Sequence, residues 1–462
     1  MLLIFGDEKM AVFSVIKLSE LEGAKRIDAE YYKPEYLELK QKLLQTKFVY
    51  FRDLVKEIIH PKEIKREYEN EKKDYLFLLA QNVRSLMLDF SERKYISEEK
   101  AKQMPKNLLE KGDILFIRTG AVGDSAVYIG EPPKVISSAH ILIAKPNFRV
   151  SPYYLAVFFN TSLGKNLIIR GTYGALQPEV SPNYIKGIPV PVLSKDLMIK
   201  TEELFFKSQD LLKQSYTFYS QAENFLLEEL GLKDFKPRYE KTYTANLSSA
   251  FSAYRIDAEY FQPTYDEVVK KIKNYKNGFS KLLKHVENVK PDFDPTKYPD
   301  KAFSYVELAD IDTSIGVIHS TSEIKGEQAP SRARRILRKN DVIVSSVEGS
   351  LEKVALVSKE YEGSLASTGF FQLRPRKILP EVLLVLSKST VLQIQLKKAC
   401  AGTILTAVPN EYLKRILIPI LPNEFQQKIA SLVRQSHEAR RKAKELLDEA
   451  KRKVEKAIEK EL

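Results

Sequence analysis

Apolar residues along this chain recur at two spacings, and the shorter spacing marks strands. Runs of β-branched and other apolar residues bounded by Gly, Pro and Asn predict short strands. These runs cover residues 112–117, 126–129 and 141–144, and later 341–344, 354–357 and 370–373. Each series closes on an apolar segment interrupted by proline, at 188–192 and 416–420, which is typical of an edge strand or an extended exit from a domain. The pattern therefore predicts two mixed α/β domains.

Two longer segments, residues 194–230 and 423–462, follow a heptad instead. In the first segment the d positions are Leu197, Leu204, Leu211, Phe218 and Phe225, the e positions are Met198, Phe205, Leu212, Tyr219 and Leu226, and the a positions are Thr201, Ser208, Ser215 and Ala222. Small a residues would let two helix backbones approach closely. We predict that the two helices, each ~55 Å long, pair as an antiparallel coiled coil. The alternative is that each helix docks only on its own domain.

The chain also repeats its own sequence. Residues 26–36 read Arg-Ile-Asp-Ala-Glu-Tyr-Tyr-Lys-Pro-Glu-Tyr and return at 255–265 as Arg-Ile-Asp-Ala-Glu-Tyr-Phe-Gln-Pro-Thr-Tyr, an offset of 229. Further matches at an offset of 228 pair 112–116 with 340–344, 173–175 with 401–403 and 184–191 with 412–419. So long a period indicates a duplicated domain and pseudo-two-fold symmetry. The predicted regions are 1–193 (first domain), 194–236 (first long helix and linker), 237–422 (second domain) and 423–462 (second long helix).

The charge of the chain is concentrated in the two predicted domains. The net charge is +13, and residues 1–193 hold 29 basic against 24 acidic side chains, while 231–422 hold 30 against 22. Basic domains suit a polyanionic partner, although a solvated lysine-rich surface has the same composition. The longest apolar run is too short to span a membrane, and Cys400 is the single cysteine, so we expect a cytoplasmic protein without disulfides. The start at Met1 lacks the features of a signal peptide, and Met10 is an alternative start.

Catalytic motifs are missing from the sequence. There is no phosphate-binding loop, and the histidines (His60, His140, His285, His319 and His437) are scattered rather than spaced as metal ligands. The Glu-Glu-Lys triplet at 98–100 resembles the end of a nuclease signature, but a chain rich in Glu and Lys produces such triplets by chance. The tetrapeptides at 131–134 and 151–154 each lack part of the methyltransferase motif that positions an adenine amino group. We therefore expect no enzyme activity, no metal and no cofactor.

Candidate DNA-binding residues cluster in the second domain. Between 325 and 339 lie Lys325, Gln328, Arg332, Arg334 and Arg335, just before a predicted strand, where a loop or short helix could enter a groove. The equivalent stretch at 98–111 is less basic but keeps Lys106. Other candidates sit on predicted loops: Arg84, Arg118, Arg170 and Tyr173. We expect at least one of Arg332, Arg334 and Arg335 to read a base and Lys106 to contact phosphate only; an exposed solvated helix is the alternative.

Together these features resemble the specificity subunits of type I restriction-modification systems. The resemblance is carried by Gly112-Asp113-Ile114-Leu115-Phe116 with Gly120 and Gly123, by 173–191 leading into the first long helix, and by the second copies at 341–349 and 401–419. It implies two target recognition domains that each read half of a bipartite site in double-stranded DNA. It also implies assembly with methyltransferase (modification) subunits and a restriction (motor-nuclease) subunit. The alternatives are a stand-alone nuclease or methyltransferase with an unrecognised site, or a basic coiled-coil scaffold.

Overall fold

The computed structural model describes most of the chain as a mixed α+β protein. It describes residues 13–19, 21, 26–63, 68, 72–90, 93–174, 176–236, 238–400 and 406–461. Ala175 and all of 401–403, which belong to the predicted match of 173–175 with 401–403, lie outside the described residues. The chain forms two compact units, unit 1 (1–210 with 442–462) and unit 2 (211–441). Each unit thus contains part of both long helices, and the unit boundaries fall inside these helices.

Unit 1 is built on a four-stranded antiparallel sheet of order β2-β10-β7-β8. A three-stranded sheet of order β6-β3-β9 and the pairs β1-β11 and β4-β5 accompany it. The strands are β1 (Phe48–Tyr50), β2 (Val55–Ile59), β3 (Tyr75–Leu78), β4 (Val83–Arg84), β5 (Met87–Leu88), β6 (Lys94–Ile96), β7 (Ile114–Ile117), β8 (Ser125–Val127), β9 (Val135–Ser137), β10 (Ile141–Pro146) and β11 (Pro189–Pro191). The helices are α1 (Pro34–Gln45), α2 (Glu98–Lys102), α3 (Pro152–Phe159), α4 (Ser162–Arg170), α5 (Pro182–Lys186) and the first part of α6 (Lys195–Glu229).

Unit 2 repeats the central four-stranded sheet, but its second sheet has four strands instead of three. Its central sheet has the order β13-β22-β19-β20, beside a sheet of order β17-β14-β21-β18 and the pairs β12-β23 and β15-β16. The strands are β12 (Phe279–Lys281), β13 (Val286–Asn288), β14 (Ala302–Val306), β15 (Ile311–Asp312), β16 (Val317–Ile318), β17 (Ser322–Lys325), β18 (Ala333–Ile336), β19 (Val342–Ser345), β20 (Val354–Leu356), β21 (Leu365–Ser367), β22 (Phe370–Pro375) and β23 (Leu417–Pro419). The helices are α7 (Leu247–Ala253), α8 (Pro263–Lys273), α9 (Pro380–Lys388), α10 (Thr390–Ala399) and α11 (Asn423–Glu461).

A buried aspartate precedes the central strand of each unit. In unit 1, Asp113 accepts a hydrogen bond from the backbone N–H of Glu110 at 2.7 Å and pairs with Lys145 of β10 at 2.8 Å. In unit 2, Asp341 pairs in the same way with Arg374 of β22 at 2.8 Å. The carboxylate therefore closes the turn before the central strand and forms an ion pair with the neighbouring strand. The repeated Asp of the sequence motif is explained by this structural role.

The repeated Arg-Ile-Asp segment has a structural role as well. The Arg26 guanidinium pairs with Asp28 at 2.8 Å and donates to the carbonyl of Thr172 at 2.7 Å, just beyond α4. In unit 2, Arg255 pairs with Asp257 at 2.7 Å. A cation is favourable at a helix C-terminus, where the carbonyl groups carry partial negative charge. In unit 1 the motif therefore ties the N-terminal segment to the end of α4.

Within each unit the two long helices are in contact. In unit 2 the hydroxyl oxygens of Ser215 and Ser436 are 3.2 Å apart, and the rings of Phe225 and Phe425 stack at 4.2 Å. In unit 1, Phe205 and residues of α11, including Leu447, share one hydrophobic cluster. In α6 the a positions and the e positions from Phe205 onward are buried (Thr201, Phe205, Ser208, Leu212, Ser215, Tyr219, Ala222 and Leu226). Met198, the first e position, and the d positions are only half-buried (Leu197, Leu204, Leu211, Phe218 and Phe225). The small residues thus lie at the centre of the buried stripe, and the d residues flank it.

A histidine on α11 is packed against the β15-β16 hairpin of unit 2. The Nε2 atom of His437 donates a hydrogen bond to the carbonyl oxygen of Ile315 at 3.0 Å. Burial lowers the pKa of His437 below its usual value, and Lys388 also lowers it, while Glu381 and Asp312 raise it. The neutral imidazole is therefore the form that the folded unit prefers.

Acid is accordingly expected to destabilise unit 2 through His437. Because the folded pKa lies below the unfolded value of about 6.5, the unfolded chain binds the proton more readily. The stabilisation is complete above about pH 6.5 and is lost as the pH falls through that value toward the folded pKa. Thermal unfolding of the wild type and of His437→Gln, whose amide can still donate to Ile315, should be compared between about pH 7 and about pH 5.5. The wild type should lose more stability; equal losses would exclude His437 as the cause.

Candidate nucleic-acid interface

In unit 1 the loops at the end of the central strand bring an arginine and a tyrosine together. Arg118 directly follows β7, and its Nη2 atom pairs with an Oε atom of Glu179 at 2.7 Å. The hydroxyl of Tyr173 donates to the same carboxylate at 3.3 Å. Tyr173 is 46% exposed, and the side chains of Arg118 and Glu179 are 19% and 27% exposed. Two of the predicted site residues therefore meet on one carboxylate at the surface.

Backbone hydrogen bonds fix these loops to each other. The N–H of Val180 donates to the carbonyl of Arg118 at 3.0 Å, and the N–H of Gly120 donates to the carbonyl of Pro178 at 3.0 Å. Gly120 has a φ of +91°, a conformation that favours glycine. The loop geometry thus depends on backbone contacts and leaves the side chains free to vary.

Unit 2 has the same loop contacts but different side chains. The N–H of Val408 donates to the carbonyl of Ser346 at 2.8 Å, and the N–H of Glu348 donates to that of Thr406 at 2.9 Å. At the offset of the sequence repeat, Ser346 takes the place of Arg118, and Ala407 takes the place of Glu179. The ion pair of unit 1 therefore has no counterpart at these positions, although the backbone scaffold is shared.

A histidine also faces this cluster. Burial lowers the pKa of His60 below its usual value, and the charge of Arg118 lowers it further. The His60 side chain is thus favoured as a neutral imidazole, which can donate one hydrogen bond and accept another.

The cationic segment of unit 2 differs from the predicted loop or short helix. Residues 325–339 run from the end of β17 through a 3₁₀ turn at Gly326–Gln328 and into β18. Arg332 lies in the turn before β18, in line with the predicted loop. Arg334 and Arg335 lie in β18 instead, where alternating burial, with Ala333 and Arg335 inward, fits a strand. Lys325, Gln328 and Arg332 are exposed.

The three arginines of this segment have different environments. Arg332 is exposed, whereas Arg334 pairs with Asp294 at 2.8 Å. Arg335 is only 3% exposed and donates to the carbonyl of Val289 at 2.5 Å. Burial lowers the pKa of Arg335 to about 10. Arg335 is therefore corrected to a structural residue, and Arg332 is the candidate of the three that is best placed to reach a ligand.

Alanine substitutions should separate these two roles. Arg332→Ala should weaken DNA binding and leave the stability of unit 2 within about 0.5 kcal/mol of the wild type. Arg335→Ala should instead destabilise unit 2 by about 1–3 kcal/mol, because it removes a buried hydrogen bond to Val289 and leaves a cavity. Urea unfolding and duplex-binding isotherms on both variants provide the test. The assignment fails if Arg335→Ala is as stable as Arg332→Ala.

Lys106 and Arg84 lie on other elements of unit 1. Lys106 is exposed on a 3₁₀ turn at Pro105–Asn107, so it is accessible to a ligand. The next residue, Asn107, is buried, and its amide donates to the carbonyls of Lys62 and Ser137, each at 3.0 Å. Arg84 is half-buried at the end of β4, and its buried Nε atom has no acceptor among the described residues. Of the two, Lys106 is the better exposed candidate.

Arg170 is corrected from a surface candidate to a buried residue. It is 5% exposed in the last turn of α4, its Nε atom donates to the carbonyl of Tyr31 at 2.9 Å, and its guanidinium lies 4.2 Å from the centre of the Tyr31 ring. Such a side chain cannot reach a base edge in a groove. The Gly-rich loop that follows suggested exposure, but the sequence gives no sign that α4 turns Arg170 inward.

Glu179 was not predicted as a site residue. It lies 61 residues after Arg118 in the sequence, so no local spacing indicates the contact. Within the described ranges, no group of three or more His, Cys, Asp or Glu side chains could hold a metal ion. No helix in those ranges combines the length and apolar character needed to cross a membrane.

Comparison with known proteins gives matches among solved structures only. No protein-family model matches the sequence, and no curated protein matches it significantly. The chain is 34% identical to a chain from a study of "complex assembly" and "conformational transition of the type I R-M system", over 35% of this chain and 43% of that one, with a TM-score of 0.31. It is 35% identical to the HsdS subunit from Thermoanaerobacter tengcongensis, over 35% of this chain and 43% of that one, with a TM-score of 0.30.

A third match covers more of the chain at lower identity. The S subunit of a type I restriction-modification system from M. genitalium is 11% identical over 90% of this chain and 96% of that one, with a TM-score of 0.38. The first two matches span less than half of the relatives' length. In these comparisons the chain is similar to the HsdS specificity subunits of type I restriction-modification systems.

Proposed function

We propose that this protein is the non-catalytic DNA sequence-recognition subunit of a type I restriction-modification complex, and that its two units each read one half of a bipartite target in double-stranded DNA. One observation carries the proposal. The loops after β7 and β19 have the same backbone contacts but present different side chains, Arg118 and Glu179 in unit 1 and Ser346 and Ala407 in unit 2. A shared scaffold with different side chains suits two modules that read different base sequences.

The charge of both units supports a nucleic-acid partner. Exposed cations such as Lys106, Lys325 and Arg332 can neutralise phosphates, which supply affinity without sequence preference. Sequence preference requires donors and acceptors at base edges, and an arginine can bind guanine with two hydrogen bonds. Arg118 is suited to this role because Glu179 already holds its guanidinium in place.

We further infer that α6 and α11 pair along their length as an antiparallel coiled coil, which gives the two units pseudo-two-fold symmetry. The contacts within unit 2 support this arrangement, since Ser215 meets Ser436 while Phe225 meets Phe425. Residue numbers rise along one helix as they fall along the other. Small residues at the centre of the stripe would bring the backbones close together.

The same proposal assigns partners and location. The chain would act in the cytoplasm, without a cofactor of its own, and would dock methyltransferase (modification) subunits and a restriction (motor-nuclease) subunit, which supply the chemistry. The domain limits follow the sequence repeat, with target recognition domains at 1–193 and 237–422, the first long helix and linker at 194–236 and the second long helix at 423–462.

Selection from a random duplex library tests the proposed function. Duplexes retained by the complex of this chain with its modification subunits should contain two short fixed sequences whose centres lie about one helical turn, ~10 bp, apart or slightly less, because both units must face one side of the duplex. Enrichment of no sequence would favour a scaffold. Cleavage or methylation of DNA by the isolated chain would favour a stand-alone enzyme.

A further inference from the structure

One edge of the central sheet of unit 1 places two histidines beside Arg118. Strand β2 ends at Ile59, which pairs with Ile143 of β10, so His60 is the first residue beyond this strand. His140 directly precedes β10, and its carbonyl accepts a hydrogen bond from the N–H of Arg118 at 2.8 Å. Because β2, β10 and β7 are antiparallel neighbours, the end of β2, the start of β10 and the end of β7 meet at one edge. His60, His140 and Arg118 therefore lie along the same edge of the sheet.

The side chains along this edge interact electrostatically. Burial lowers the pKa of His60, the charges of Arg118 and His140 lower it further, and those of Glu179 and Glu63 raise it. Four charged or titratable side chains from separate segments therefore surround one imidazole. His60 is still exposed, and His140 is half-buried, so a ligand can reach both rings. A neutral imidazole can donate one hydrogen bond and accept another.

The buried amide of Asn107 connects the two segments that carry the histidines. Its oxygen accepts a hydrogen bond from the N–H of Lys62 at 3.0 Å, and its nitrogen donates to the carbonyls of Lys62 and Ser137, each at 3.0 Å. Lys62 lies two residues after His60, and Ser137 lies three residues before His140. The amide thus holds both segments in one arrangement. Recognition of a base requires side chains whose positions are fixed in this way before the ligand binds.

Unit 2 has a different side chain at the position of His60. In each unit, the strand residue opposite the basic partner of the buried aspartate is a glutamate, Glu57 in β2 and Glu287 in β13. His60 lies three residues after the first glutamate, and Lys290 lies three residues after the second. Lys290 therefore takes the place of His60, and it is exposed as well.

The position of His140 differs in the same way. The N–H of Ser346 donates to the carbonyl of Gly369 at 2.8 Å, as the N–H of Arg118 donates to the carbonyl of His140. Gly369 therefore takes the place of His140 and contributes no side chain. The backbone pairing at this edge is shared by the two units, whereas the side chains at all three positions differ. Such variation on a constant scaffold is expected of residues that determine specificity.

We propose that His60 and His140 are specificity-determining residues of unit 1, which contact base edges beside Arg118 in the major groove of double-stranded DNA. The inference rests on the proposed function and names further residues that read the half-site of unit 1. Arg118 can bind O6 and N7 of a guanine, while each imidazole can donate to a purine N7 or accept from an exocyclic amino group of a neighbouring base pair. Lys290 gives unit 2 a different donor at the equivalent position, so the two units select different half-sites.

Single alanine substitutions along the edge test the proposal. His60→Ala and His140→Ala each remove one imidazole from unit 1, and Lys290→Ala removes the counterpart of His60 from unit 2. His285→Ala is the matched control, because His285 is a half-buried histidine that precedes β13, at the opposite end of this strand from Lys290. Thermal unfolding identifies any variant that fails to fold, and the exposed position of His60 makes His60→Ala compatible with folding.

Each variant, in complex with the modification subunits, should be used to select duplexes from a random library. His60→Ala and His140→Ala should each reduce the preference at one or two base pairs of the same half-site by at least about fivefold. Lys290→Ala should change only the other half-site, and His285→Ala should change neither.

The failure of this inference can be distinguished from the failure of the proposed function. If the wild type enriches no sequence, the proposed function is wrong and the inference falls with it. If the wild type enriches a bipartite sequence that folded His60→Ala and His140→Ala select with unchanged preferences, only the inference is wrong. A uniform loss of affinity without a change in base preference would assign both histidines to phosphate contacts and would also contradict it.

Discussion

Replacing Asp341 with alanine is expected to lower the free energy of unfolding of unit 2 by about 3–5 kcal/mol. Asp341 is fully buried and accepts hydrogen bonds from both Arg374 and the amide of Gln372, at 2.8 Å and 2.7 Å. It also accepts from the backbone N–H of Arg338 at 3.0 Å, which closes the turn before β19. Alanine would leave the guanidinium of Arg374 without its anion and open the turn.

Urea unfolding followed by far-ultraviolet circular dichroism measures this loss, since the chain has no tryptophan. Asp300→Ala is the matched control, because Asp300 is exposed and belongs to the same unit. Surface substitutions of this kind usually change stability by less than about 0.5 kcal/mol. If the two variants unfold at the same urea concentration, Asp341 does not hold the central sheet together.

Replacing Ser215 with leucine should destabilise the helix contacts of unit 2 by about 1–3 kcal/mol through overpacking. Ser215 is 1% exposed, and its carbonyl accepts a hydrogen bond from the hydroxyl of Ser436 at 2.8 Å. A leucine at this position would force the two helices apart and remove the hydroxyl contact. The small residue is therefore required by the packing rather than tolerated by it.

Gln214→Leu provides the control for this substitution. Gln214 is the preceding residue of α6 and is exposed, so the same side chain is added outside the contact between the helices. Leucine there should leave unfolding nearly unchanged or stabilise α6 slightly, because leucine favours helices. Equal unfolding of Ser215→Leu and Gln214→Leu would show that the helices do not meet at Ser215.

The elements that the sequence predicted best are those with strong local signals. The heptad segments became α6 and α11, and the predicted central strands appear with limits that differ by at most two residues. Strand β7, predicted to begin at 112, begins at Ile114 instead, because Gly112 has a φ of +96° and Asp113 closes the turn. Apolar runs bounded by turn residues determine such elements locally, so a single sequence is sufficient.

The candidate site was predicted less well because contacts distant in sequence determine it. Arg335 and Arg170 are cationic and lie beside exposed or Gly-rich positions, yet both are buried by packing against Val289 and Tyr31. Neither carbonyl partner leaves a signal in the sequence. Arg118 and Tyr173 were predicted as separate candidates, and only Glu179 explains why they meet. Side-chain accessibility in such loops depends on tertiary structure.

Side-chain burial along α6 also depends on tertiary contacts that the heptad does not show. The sequence predicted the buried stripe of α6 but could not rank its flanks, because the d residues are as apolar as the e residues. The structure buries the small a series and the e series from Phe205 onward, and leaves the d series half-buried. The surface against which α6 packs, rather than the heptad periodicity, decides which of the two apolar series is buried.

Exchange of one proposed target recognition domain would show whether each unit reads one half-site. Residues 237–422 would be replaced by the equivalent domain of a related subunit, and the methylated sequences of a host genome would be mapped with the native and exchanged chains. We expect one half of the bipartite methylated sequence to change while the other half and the spacing between them remain. A change in both halves at once, or in neither, would contradict the assignment of one half-site to each unit.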